Sequence, residues 1–299
     1  MAELKDNYTG IYSLMLTPYN ADKTVDYKTY EEYSVWQASQ GVGHLFAVCG
    51  SSEMSELTLE ERLKLASLTV KNKGDTTVVA TANMEKTFDA QVEEVKKMEA
   101  TGVDGVVFTT RGMGDKPDEL VEYVGKLSSY TTLPVFMYEF PGLRPHLISG
   151  DTYGRLVREC GIYGIKDTTS TYEGIKEKIE QKGDSCIIQA NMPFLYEAFK
   201  MGARGVMATP TTCGGAFFAR FFEAFMSGDT ELAKRRYHEI ILLDDSIDSG
   251  FNNSAKYLVQ LQGIKGMRPI NRGLNLLSSA RMQSLRAFHD WCVDNDLMK

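Results

Sequence analysis

A lysine closing an apolar run is the residue of this sequence most open to covalent chemistry. In Gly164-Ile165-Lys166-Asp167-Thr168-Thr169 the two-residue period of a strand puts Ile162, Gly164 and Lys166 on one face, and Tyr163 and Ile165 on the other. If the first face looks into a packed apolar interior, desolvation lowers the proton affinity of the amine. A partly neutral amine can attack a ketone and form a Schiff base. The same pattern also suits a strand-end lysine that points to solvent. Tyr138 ends the run Val135-Phe136-Met137-Tyr138 at the same level, ahead of Glu139-Phe140-Pro141-Gly142. Its phenol could shuttle a proton, or it could be a half-buried aromatic with its hydroxyl on a rim. Glu139 is one residue out of phase and is not expected to be the base.

Other segments offer polar groups. Gly50-Ser51-Ser52-Glu53-Met54-Ser55 sets two hydroxyls beside a glycine, a loop that could give backbone N–H groups and side-chain donors to a carboxylate, or simply turn the chain into the next helix. Thr209-Pro210-Thr211-Thr212-Cys213-Gly214-Gly215 could form a polar wall or a connection. Arg111-Gly112-Met113-Gly114-Asp115-Lys116-Pro117 is rich in glycine but lacks the spacing of a phosphate-binding loop. The histidines, His44, His146, His238 and His289, show no metal-ligand spacing, and Asp244-Asp245 reads as a solvated helix face.

Such groups need a scaffold, and the chain alternates short apolar runs with amphipathic stretches. Strands are expected at Ile11–Thr17, His44–Val48, Thr77–Ala82, Gly105–Thr109, Val135–Tyr138, Tyr163–Lys166, Cys186–Gln189 and Val206–Thr209. Helices are expected at Leu59–Lys71, behind a Thr58/Glu61 capping box, and at Phe88–Ala100, Pro117–Ser128, Asp151–Arg158, Tyr172–Gln181 and Pro193–Met201. Four related patterns, Gly41-Val-Gly-His, Gly102-Val-Asp-Gly, Gly161-Ile-Tyr-Gly and Gly202-Ala-Arg-Gly, look like helix ends turning into strands. Eight alternations with no dinucleotide-binding glycine signature point to an α/β fold, a (β/α)8 TIM barrel. Further helices at Ala219–Met226, Thr230–Asp245, Ser254–Leu261 and Ala280–Asp294 divide the chain into a barrel over 1–226 and a C-terminal helical extension over 227–299.

The chain of 299 residues carries 33 Lys+Arg against 40 Asp+Glu, a net charge of −7, which gives no electrostatic reason to bind nucleic acid or an anionic membrane. No apolar run is long enough to span a bilayer, and the polar N-terminus has no signal-peptide core. The scattered cysteines, Cys49, Cys160, Cys186, Cys213 and Cys292, read as reduced thiols of a cytoplasmic protein. An anionic substrate must then be held by local donors: the Ser51–Ser52 loop, Lys166, and Arg111 or Arg144.

Taken in order, these segments resemble the dihydrodipicolinate synthase/N-acetylneuraminate lyase family of pyruvate-dependent class I aldolases. The resemblance runs from Leu16-Thr17-Pro18-Tyr19 and Val25-Asp26, through Gly50-Ser51-Ser52-Glu53 and Leu57-Thr58-Leu59-Glu60-Glu61-Arg62, to Lys116-Pro117. It continues through Tyr138-Glu139-Phe140-Pro141-Gly142, Gly164-Ile165-Lys166-Asp167-Thr168, Gly202-Ala-Arg-Gly205 and Arg268-Pro269. It implies that Lys166 forms the Schiff base with pyruvate or another 2-keto acid and that Tyr138 relays protons. Ser51 and Ser52 would hold the carboxylate, with Ser51 counted among the catalytic residues, and Thr168 and Thr209 would bind substrate. It also implies no metal or organic cofactor, and a homo-oligomer, either a dimer or a homotetramer.

Departures from the family pattern bear on the substrate. The usual Gly-Thr/Ser-Thr-Gly-Glu loop lacks its second glycine here. Arg111-Gly112-Met113-Gly114 stands where the synthases carry a tyrosine pair. Their carboxylate-clamping arginine falls on Leu143, with Arg144 one step late, and the acidic pair of the sialic acid lyases falls on Met192 and Pro193. The expectation is therefore a Schiff-base aldolase or lyase acting on a 2-keto acid such as a 2-keto-3-deoxy sugar acid. The alternatives are a 4-hydroxy-tetrahydrodipicolinate synthase with a rearranged site and a non-catalytic 2-keto-acid sensor.

Overall fold

The computed structural model describes residues 8–248, 251–273 and 277–298. Eight parallel strands follow one another around a closed barrel in chain order: β1 (Gly10–Leu14), β2 (His44–Phe46), β3 (Thr77–Thr81), β4 (Gly105–Thr109), β5 (Val135–Tyr138), β6 (Gly164–Asp167), β7 (Cys186–Gln189) and β8 (Gly205–Val206). Helices lie between them: α1 (Tyr27–Ala38), α2 (Leu59–Lys71), α3 (Phe88–Glu99), α4 (Pro117–Ser128), α5 (Gly150–Cys160), α6 (Tyr172–Gln181) and α7 (Leu195–Met201). After β8 come α8 (Thr211–Met226), α9 (Thr230–Asp248), α10 (Asn252–Leu261) and α11 (Ser279–Asp294). The residues group into two compact units, one of residues 8–10 with 77–207, the other of 11–76 with 208–298.

In the first unit the strands are buried almost throughout, as strands covered on both faces must be. Phe136 of β5 shows how tightly they pack. A side chain added at Gly105 of β4 would come within 3.1 Å of its ring, and one added at Gly164 of β6 would also come within 3.1 Å. Glycines on both neighbouring strands leave the width that one aromatic fills. Helix α6 starts on the Thr171 hydroxyl, which accepts from the Gly174 N–H, and α5 starts on Ser149 and ends at Gly161 in the left-handed region. Gly102 and Gly202 also take positive φ, of 87° and 123°, and in the second unit Gly41 takes 76°. All four repeated glycine patterns therefore open with the residue that only glycine tolerates easily.

The second unit contains a helix that the hydrophobic pattern does not announce. The buried face of α1 is Thr29, Tyr30, Tyr33, Ser34 and Gln37. It is polar because it is hydrogen bonded: Gln37 Nε2 donates to Thr212 O (2.7 Å), the Tyr33 hydroxyl donates to the same oxygen (2.6 Å), and Ser13 Oγ of β1 donates to Gln37 Oε1 (2.8 Å). Residues 206–209 also differ from expectation. β8 ends at Val206, and Thr211 N–H and Thr212 N–H turn back to Ala208 O and Thr209 O, so α8 begins eight residues before the expected Ala219. At Gly214 α8 kinks, where a Cβ would lie 2.4 Å from Leu243 Cδ2. Strand β1 stops at Leu14 rather than Thr17, β2 at Phe46 rather than Val48, and β6 runs one residue further, to Asp167. The Pro193 end of the expected Pro193–Met201 helix is a separate 3-10 turn, Met192–Phe194. All five cysteines are free thiols. Among the described residues no helix is long and apolar enough to cross a membrane.

Candidate active site

In the first unit the two strands carrying the candidate chemistry are neighbours. The register pairs Tyr138 of β5 with Lys166 of β6. Both side chains are buried, Lys166 with 5% of its surface exposed and Tyr138 with 4%, so the solvent-pointing alternative for the lysine is set aside. Lys166 Nζ lies 4.2 Å from the centroid of the Tyr138 ring, and the centroid of the tilted Phe140 ring lies 5.3 Å from it. The amine and the hydroxyl-bearing ring are thus direct neighbours.

Alternation sends the next residue of each strand to the opposite face, and there the sequence reading missed a cluster. Glu139 and Asp167 are fully buried, with Lys178 of α6 between them: its Nζ lies 2.7 Å from Glu139 Oε1 and 2.8 Å from Asp167 Oδ1, and it also donates to Thr169 Oγ1. Being out of phase with Tyr138 is what places Glu139 here. Lys178 was detectable in principle, since it follows Ile175 by three residues on the buried side of an otherwise charged helix. Burial lowers the proton affinity of Lys178, but Glu139 and Asp167 outweigh it and raise it. Burial pushes Glu139 up to about 7, against the pull of Lys178 and with a further push from Asp167. Thr168 is held by the same carboxylate. Its N–H donates to Glu139 Oε2 (2.9 Å), and its hydroxyl donates to Glu139 O (2.9 Å). Asn191, also unforeseen, donates to Thr168 O (2.8 Å) and Thr169 O (3.2 Å). Arg144 is exposed and donates to Pro141 O, while Arg111, at φ 52°, donates to Met84 O.

In the second unit the loop after β2 is built from its own hydroxyls. Cys49 N–H donates to Ser52 Oγ (2.7 Å), Ser52 Oγ donates to Cys49 O (2.8 Å), and Thr17 Oγ1 donates to Ser52 O (2.7 Å). Ser52 thus closes the turn, whereas Ser51, buried at 2% exposure, shares a 3.2 Å hydrogen bond with Thr209 Oγ1. The absent second glycine has a visible consequence: Glu53 itself takes the left-handed conformation, at φ 60°. That costs a non-glycine residue roughly 1 kcal/mol. Its carboxylate offsets the cost, because Oε1 meets the buried Lys256 Nζ of α10 at 2.7 Å and Oε2 accepts the Arg272 N–H at 3.0 Å. Lys256 also donates to Ile270 O (2.7 Å) and Asn271 Oδ1 (2.9 Å). Burial brings Lys256 down to about 8, although Glu53 pulls it up. Arg272 grips Glu61, the N3 residue of the capping box of α2, through two nitrogens, and this holds Glu61 below the usual carboxylate range. Asp244 is not the solvated residue expected: it is half-buried, and burial with Asp245 and Asp248 nearby pushes it up to about 6. Among the described residues no three His, Cys, Asp or Glu side chains form a group able to hold a metal ion.

Known proteins resemble this chain over most of its length. The sequence pattern of the dihydrodipicolinate synthetase family matches residues 7–286. The chain belongs to that family. Its relatives include the 4-hydroxy-tetrahydrodipicolinate synthases of Thermodesulfovibrio yellowstonii, 25% identical over 78% of this chain and 80% of the relative, and of a Psychrobacter species, 26% identical over 80% of each. Among solved structures, a prophage protein of the dihydrodipicolinic acid synthase family from E. coli K12, in complex with pyruvate, superposes with a TM-score of 0.85 at 21% identity, covering 97% of this chain and 99% of its own. An N-acetylneuraminate lyase from Mycoplasma synoviae gives 0.84 at 17% identity, covering 98% and 99%. The protein is an enzyme of the dihydrodipicolinate synthetase family, a pyruvate-dependent lyase of the class I aldolase type.

Two measurements probe these clusters. Removing one partner of a buried ion pair strands the other, so Lys256→Met should destabilise the fold by about 3–5 kcal/mol, and adding Glu53→Gln should recover part of that loss. Equal stability of single and double variants in urea unfolding would show that the pair does not bear on the loop. Glu139 holds its proton more tightly folded than unfolded. Its stabilising contribution is fully present below the ordinary value of 4.5 and is lost as pH rises through about 7. Melting temperature should therefore fall across that window more steeply for the wild type than for Glu139→Gln; parallel curves contradict the assignment.

Proposed function

We propose that Lys166 is the Schiff-base residue and that the natural substrate is a 2-keto acid, of the 2-keto-3-deoxy type, cleaved to or built from pyruvate. The carrying observation is the buried amine of Lys166 at 4.2 Å from the ring centroid of its ladder partner Tyr138. In this reading Nζ attacks the keto carbon and the carbinolamine loses water. The iminium then withdraws electrons from the adjacent carbon, so the C–C bond breaks to leave an enamine, or forms from it. Tyr138 relays the protons of carbinolamine formation and of bond cleavage. Ser51, supported by Thr209, holds the substrate carboxylate, and Ser52 contributes by shaping the turn that presents Ser51. Thr168, whose hydroxyl hydrogen is spent on Glu139 O, keeps its lone pairs to accept from a substrate hydroxyl. A resident cofactor has no step in this scheme. A homo-oligomeric state and a cytoplasmic location carry over from the sequence reading.

The names of the curated relatives favour a second reading, synthesis of 4-hydroxy-tetrahydrodipicolinate from pyruvate and aspartate semialdehyde. Against it stands the absence of the expected bidentate clamp: position 143 is leucine, and Arg144 is exposed with its Nε on Pro141 O.

Pyruvate with borohydride should give an irreversible adduct on Lys166, seen by mass spectrometry, and none in Lys166→Ala. Tyr138→Phe should retain pyruvate binding but trap at about 1% of the wild-type rate or less, the size of a general acid–base contribution. An adduct on another lysine overturns the reading. Coupled turnover of aspartate semialdehyde separates the synthase alternative.

A further inference from the structure

The buried cluster on the reverse side of the candidate strands has a task beyond neutralising charge. Glu139 directly follows Tyr138, and Asp167 directly follows Lys166, so each acid is fixed to the backbone of one proposed reacting residue. Lys178 Nζ bridges them at 2.7 and 2.8 Å and gives its third hydrogen to Thr169, which uses all three donors of an ammonium. The acids reach on to the backbone. Glu139 accepts from Ile148 N–H (2.9 Å), in the loop after β5, and from Thr168 N–H (2.9 Å), in the loop after β6, while Asp167 accepts from Thr169 N–H (3.0 Å). The three charged side chains, Glu139, Asp167 and Lys178, are each at most 1% exposed.

A buried ion group of this kind is no better for stability than well-packed apolar residues, so stability alone does not account for three charges in this place. An apolar substitute could not accept the amide protons of Ile148 and Thr168. What the cluster does uniquely is tie the ends of two adjacent strands, and the loops that leave them, to one point on α6.

We propose that Lys178 is a positioning residue: by holding Glu139 and Asp167 together it fixes Tyr138 and Lys166 in the one relative geometry in which amine, phenol and keto carbon can react. The proposal rests on the Schiff-base reading of Lys166. Misplacement of reacting groups by about 1 Å can cost on the order of 100-fold in rate, so a tether at the ends of both strands has leverage on turnover without touching substrate. The other titratable groups nearby are His146, in the loop after β5, held below the usual histidine range by burial, then Arg144, then Lys178, and the buried Tyr153 of α5, whose phenol is raised by burial first and also by Asp167 and Glu139.

The test compares wild type, Lys178→Met and the charge-compensated Lys178→Met/Asp167→Asn. Three quantities are read per folded molecule: maximal rate of borohydride trapping, half-saturating pyruvate concentration, and deuterium exchange at the Thr168 and Ile148 amides. The double variant should regain most of the melting temperature lost by the single one. It should still trap about 10–100-fold more slowly at saturating pyruvate, with the half-saturating concentration changed less than about threefold and faster exchange at both amides. A double variant that traps at the wild-type rate with protected amides overturns the proposal and leaves Lys178 a charge-balancing residue. If the single variant does not fold, the double carries the comparison. If the wild type itself gives no adduct on Lys166, the Schiff-base reading fails, and the amide exchange still decides whether Lys178 tethers the two loops.

Discussion

A buried ammonium satisfied by carboxylates is the interaction on which both candidate segments depend. Bringing a charge out of water costs several kcal/mol, and only close, hydrogen-bonded partners repay it. Lys178 meets this with Glu139, Asp167 and Thr169, and Lys256 meets it with Glu53, Ile270 O and Asn271. Within the first unit the partners of Lys178 are the residues next to Tyr138 and Lys166. Within the second, the partner of Lys256 is the residue next to Ser51 and Ser52, held in a conformation that glutamate does not favour on its own. In each unit a buried cation fixes the backbone beside residues proposed to touch substrate.

This separates the chemistry from its support. Lys166 and Tyr138, the proposed reacting residues, are register partners on neighbouring strands, while the charges proposed to orient them belong to Glu139, Asp167 and Lys178, which follow or bridge those positions. The serine pair divides in the same way. Ser52 spends its hydroxyl on Cys49 and closes the turn, and Ser51 turns toward Thr209. A substrate anion in a chain of net charge −7 is thus left to a few placed donors rather than to the overall field.

The sequence made the barrel legible because apolar strands, capped helices and glycines at helix ends each have a local physical cause, and most strand positions were within a residue or two. The exceptions have causes too. Helix α1 buries tyrosine, threonine, serine and glutamine because its partners are the backbone carbonyls of Thr211 and Thr212, which no hydropathy pattern encodes. Thr209 lies in a turn because the first two amides of α8 fold back onto Ala208 O and Thr209 O. At the candidate site, strand phase and loop composition marked the places of Lys166, Tyr138 and Ser51, whereas their proposed roles came from the family resemblance alone. Glu139 was passed over for the phase that gives it its place; Lys178 is marked only by its helical phase with Ile175, and Lys256 looks in sequence like an ordinary helix lysine. Long-range ion pairs leave little local trace, and the missing glycine at Glu53 was visible only as an irregularity.

In the proposed reaction Lys166 turns a bound keto acid into an electron sink. The most direct test needs no second substrate: proton NMR of the pyruvate methyl group in deuterium oxide with the intact enzyme. Enamine formation through an iminium exchanges those hydrogens with solvent. The methyl signal should be lost in an enzyme-dependent way, and the loss should disappear in Lys166→Ala. No exchange above the uncatalysed rate, or exchange that survives the loss of Lys166, would contradict it.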